Sequence, residues 1–91
     1  MGALLTNYLY PERNEEIEHF LKQTKRFAEM LHTGDTSRPR DQILSQLSYN
    51  WGQYSREMNL GRDNWKMLER AATSGDWSEI EGEAERLLEE M

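Results

Sequence analysis

The sequence predicts an all-α fold, a compact four-helix up-down bundle forming one domain over residues 1–91. Three observations lead there. Apolar residues recur at helical spacing in four separate stretches, those stretches contain few β-branched residues, and Gly- or Pro-bearing segments divide them. The predicted helices span about 11–33, 38–58, 62–74 and 76–91, preceded by a short apolar N-terminal arm.

The first helix opens at Pro11, a residue suited to a first turn because that turn leaves its N–H groups unpaired anyway. Ile17, Phe20, Leu21, Thr24, Phe27, Ala28 and Leu31 share one face. Gly34 follows the run, where a left-handed residue ends a helix most easily. The loop "HTGDTSRP" leads to Pro39 and a second helix whose inner face is Ile43, Leu44, Leu47, Trp51, Tyr54 and Met58. Gly61, in "NLGRD", marks its end. The third helix offers Trp65, Leu68 and Ala72, with Ala71 at the edge of the stripe. After Gly75, Asp76 and Glu79 form a capping-box pattern, and Trp77, Ile80, Ala84, Leu87, Leu88 and Met91 line the fourth helix.

That final turn, "ERAATSGDWSEIEGEAERLLEE", carries only the generic form of a helix–glycine–helix turn. It lacks the histidine of a phosphotransfer domain and the small residue that a tetratricopeptide unit would need in place of Ile80.

The net charge of −6 is unevenly placed. Residues 1–75 hold ten acids and ten bases, whereas residues 76–91 hold seven acids against Arg86 alone. Phosphate backbones and anionic membranes are repelled by such an end, so neither direct nucleic-acid binding nor membrane binding is expected. No cysteine is present, no apolar run reaches the ~20 residues of a membrane span, and the opening lacks secretory-signal features. These features predict a cytoplasmic protein. "MGALLT" matches the short N-myristoylation pattern, though no basic patch accompanies it to hold an acyl chain at a membrane.

Candidate chemistry is sparse. Glu16 with His19, and Glu29 with His32, each make a Glu-x-x-His step that puts two metal ligands on one helical face. Both pairs stand on the same helix, point about 140° apart and lean away from its apolar stripe. No nucleophile–base pair or phosphate-binding glycine loop is present. The expectation is therefore no catalytic residue, no metal and no cofactor.

Two surfaces remain. Glu79, Glu81, Glu83, Glu85, Glu89 and Glu90 would make the outside of the last helix an acidic face for a basic partner. In "SYNWGQYSREM", Trp51 and Tyr54 lie within roughly 60° of each other on the core face, and Tyr49 points about 160° from Trp51. Tyr49, Gly52, Gln53 and Arg56 then form an exposed strip. Gly52 costs a helix interior about 1 kcal/mol relative to alanine, which points to another backbone, the N-terminal arm or a partner, approaching there. The function that follows is a non-catalytic protein–protein interaction module: an adaptor, inhibitor or accessory subunit. The alternatives are an acidic nucleic-acid mimic and a helical metal-binding protein. Leu4, Leu5, Tyr8, Leu9 and Tyr10 add apolar surface that predicts a homodimer.

Overall fold

The computed structural model describes residues 11–35 and 37–91, with side chains from Asn14 onward. Four helices run through it: α1 (Pro11–Thr33), α2 (Arg40–Glu57), α3 (Arg62–Ser74) and α4 (Ser78–Glu89). No strand occurs among the described residues, and the chain is an all-α four-helix bundle. None of its helices is long and apolar enough to cross a membrane. The N-terminal arm, its myristoylation pattern and the apolar surface it would add lie outside the described residues.

Local chemistry sets the ends of the helices. Gly34, at φ +74°, lets the Asp35 N–H turn back to the Met30 carbonyl at 2.9 Å, closing α1. Gly75, at φ +77°, closes α3 in the same hand, its N–H donating to the Ala71 carbonyl at 2.8 Å. The end of α2 departs from expectation. Asn59, not Gly61, takes the left-handed position at φ +55°. The Leu60 N–H then reaches the Ser55 carbonyl at 3.0 Å, and the Asn59 N–H reaches the Arg56 carbonyl at 3.2 Å. Gly61 instead precedes α3, again with positive φ.

Helix α1 is the central element, packing along both α2 and α4. Helix α3 meets only α2 and α4, and none of its Cα atoms comes within 8 Å of α1. Lys25 reaches Glu85 at 4.0 Å, and His32, near the end of α1, acts on Asp76, just before α4. Helix α4 therefore runs antiparallel to α1. One core cluster joins Phe20, Leu21, Phe27, Ala28 and Leu31 of α1, Ile43, Leu47, Trp51 and Tyr54 of α2, and Ile80 of α4. Thr24 lies fully inside this apolar stripe because its hydroxyl donates to the Phe20 carbonyl at 2.7 Å.

Four expectations need correction. First, α2 begins at Arg40 rather than 38: Pro39, extended at ψ 138°, stands just outside and accepts from the Gln42 and Ile43 N–H groups. Second, α4 begins at Ser78, so there is no capping box. Asp76 Oδ1 accepts from the Ser78 N–H at 3.1 Å and from its hydroxyl, and Glu79 turns to Arg70 instead. Third, Met58 and Met91 are exposed because both lie beyond the last turn of their helices. Fourth, α3 is rotated about 60° from its expected facing. Ala71 is fully buried, Ala72 is exposed, and Trp65 retains 43% of its surface. The reason lies in a hydrogen-bond circuit with α2, which also builds the candidate site.

Candidate interaction surface

The circuit begins at Trp51, whose indole Nε1–H donates to the Asn64 carbonyl at 2.8 Å. The Asn64 amide donates to Ser55 Oγ at 2.9 Å, and Ser55 Oγ donates to the Trp51 carbonyl at 2.9 Å. Trp51 and Ser55 are buried, so each bond satisfies a polar atom that would otherwise be stranded. Holding Asn64 against α2 fixes the rotation of α3 and carries its neighbour Trp65 to the flank. There the ring lies across Gly52: a Cβ built on that glycine would stand 3.1 Å from both Trp65 Cζ2 and Cη2. The missing side chain of Gly52 is thus used by a tryptophan of the same chain. The expected backbone approach is replaced by a ring thirteen positions along.

This contact shapes an open groove of about 660 Å³ between α2 and α3. Tyr49, Gly52, Gln53 and Arg56, the four residues of the expected strip, all line it, together with Trp65 and Arg62. Tyr49 is 58% exposed, whereas Trp51 and Tyr54 are buried and stacked, with ring centroids 5.6 Å apart. The aromatics of "SYNWGQYSREM" therefore divide as expected. Met58 and Leu60, at the turn joining α2 to α3, are exposed as well. With Tyr49 and Trp65 they concentrate large apolar surface along one helical hairpin. Arg56 and Arg62 have no carboxylate within 4.0 Å among the described residues, and no acid lines the groove.

The acidic helix is arranged differently from expectation. Helical geometry divides its six glutamates into two rows on opposite flanks of the buried stripe. Glu79, Glu83 and Glu90 form one row: Glu79 pairs with Arg70 at 2.6 Å, Glu90 pairs with Arg86 at 2.6 Å, and Glu83 also pairs with Arg86. Glu81, Glu85 and Glu89 form the other, with Glu85 near Lys25. Only Glu81 and Glu89 have no ion pair among the described residues. Tyr54, buried beneath the first row, has its hydroxyl pKa pushed up by burial and then by the charge of Glu83.

Glu16, His19, Glu29 and His32 are all exposed. Among the described residues no group of three or more histidine, aspartate or glutamate side chains is placed to hold a metal.

Sequence reasoning missed Trp65 and Arg62 as members of the groove, and it missed the Trp51–Ser55–Asn64 circuit. A faint signal existed. Gly52 and Trp65 stand almost equally far from the left-handed Asn59, so a hairpin brings the largest side chain opposite the smallest. The chain matches no protein-family model, no curated protein and no solved structure.

Proposed function

We propose that this chain is a protein–protein interaction module, an adaptor, inhibitor or accessory subunit, that recognises its partner through the groove between α2 and α3. One observation carries the reading: exposed Tyr49 and Trp65 flank a glycine floor beside two arginines that make no ion pair among the described residues. Tyrosine, tryptophan and arginine are the residue types that dominate binding energy when a partner covers them. The acidic flanks of α4 are secondary, because four of their six carboxylates are engaged by this chain's own cations. Neither the nucleic-acid mimic nor the metal-binding protein has a comparable feature in its favour among the described residues.

The test is affinity capture from the native host lysate with three baits. Wild-type protein and a Glu81→Gln/Glu89→Gln variant are expected to retain the same partner, and Tyr49→Ala is expected to lose it. Retention of every captured protein by Tyr49→Ala overturns the proposal.

A further inference from the structure

We infer that the groove receives an acidic peptide segment anchored by one bulky apolar side chain; this assignment rests on the interaction reading above and names the chemistry of the partner. The protein as a whole is negative, yet this groove is positive. Two other grooves among the described residues contain carboxylates, Asp35 in one and Glu69 with Glu79 in the other. The α2–α3 groove contains none, and it holds Arg56 and Arg62.

A guanidinium without a partner is a ready donor to carboxylate, offering two parallel N–H groups in a planar fork. The half-exposed faces of Tyr49 and Trp65 supply the complementary apolar contact. Net charge argues for a short acidic segment over a nucleic acid. A strand of phosphates extends past two arginines and is repelled by a molecule of net charge −6, whereas a few carboxylates are satisfied locally within a Debye length of about 8 Å. The same repulsion opposes a second copy of this chain.

The experiment selects a displayed library of random peptides on the intact protein, in parallel with an Arg56→Glu/Arg62→Glu variant. Both arginines are exposed, so the reversal leaves the core intact, which circular dichroism checks. Selected peptides are then resynthesised without tryptophan. Acrylamide quenching reads the groove directly, because Trp51 and Trp77 are buried at 1% and 3% exposure and Trp65 is not.

Wild-type protein is expected to enrich acidic peptides carrying Phe, Leu or Ile that shield Trp65. Their affinity falls at least about tenfold on the charge-reversed variant, equivalent to about 1.4 kcal/mol. Arg56→Lys/Arg62→Lys is expected to bind with intermediate affinity, keeping charge and losing the fork.

Neutral or basic peptides that shield Trp65 overturn the acidic assignment and leave the interaction reading standing. So does a dimer by light scattering that the charge reversal abolishes; tighter groove binding by a single-stranded thymidine oligonucleotide overturns both readings. Absence of any Trp65-shielding peptide, together with unchanged capture by Tyr49→Ala, removes both.

Discussion

Trp51 and Trp77 bury nearly the same indole surface, but their N–H groups meet different fates. Trp51 donates to the Asn64 carbonyl, whereas the Trp77 Nε1–H has no partner among the described residues. Replacing either with phenylalanine removes a similar volume, so the difference between the two variants isolates the hydrogen bond. Trp51→Phe removes a paired donor and the hold of α2 on Asn64; Trp77→Phe removes a stranded donor. Trp51→Phe is expected to be the more destabilising by at least about 1 kcal/mol, measured by urea denaturation. Gly52 is a second balance. An added Cβ meets Trp65 at 3.1 Å, but that ring is 43% exposed and free to tilt by a few tenths of an ångström. Helix propensity favours alanine by up to about 1 kcal/mol. Gly52→Ala is therefore expected to hold or raise stability while shifting tryptophan emission to the red, and a lower denaturation midpoint contradicts this.

Among the elements, α4 starts on a turn held by Asp76. Its carboxylate accepts the Ser78 hydroxyl and then the Ser78 N–H, and these bonds lower its pKa below the ordinary aspartate value of about 4. A depressed carboxylate contributes stability that is present above its unfolded pKa and is lost as pH falls through the lower folded value. Between pH 5 and pH 2, the wild type is expected to lose more stability than Asp76→Ala, measured as the difference between their denaturation midpoints; parallel curves remove the assignment. Helix α3 is the least supported element, because it meets neither neighbour over much of its length and never reaches α1. Its amides are expected to exchange with deuterium faster than the central amides of α1, since local opening follows sparse burial. A groove with one wall of low local stability adjusts its width at small cost.

Over the whole molecule, net charge and local field disagree in sign. At −6 the protein should repel iodide and attract caesium, yet Trp65 shares its groove with Arg56 and Arg62. Screening at physiological salt confines each charge to about 8 Å, so the local pair prevails. Iodide is expected to quench the exposed tryptophan more efficiently than caesium, with the order reversed in Arg56→Glu/Arg62→Glu. Equal quenching by both ions in the wild type shows that the groove is not cationic.

The four helices, the Gly34 and Gly75 stops and the inner faces of α1 and, Met58 apart, of α2 were readable from the chain alone. Each depends on residues one or two turns apart, and local spacing and capping chemistry decide them. Tyr49, Gly52, Gln53 and Arg56 were likewise recognisable as the remainder of α2 once its buried face was assigned. What covers Gly52 was not. That depends on the rotation of α3, set by the Trp51–Asn64–Ser55 hydrogen bonds across two helices and opposed by the ordinary tendency of Trp65 to turn inward. The acidic character of α4 followed from composition and its division into two rows follows from helical spacing, whereas only packing pairs four of the six carboxylates with Lys25, Arg70 and Arg86. Periodicity specifies which side of a helix is apolar; only packing specifies how far that side turns and which polar atoms it must satisfy.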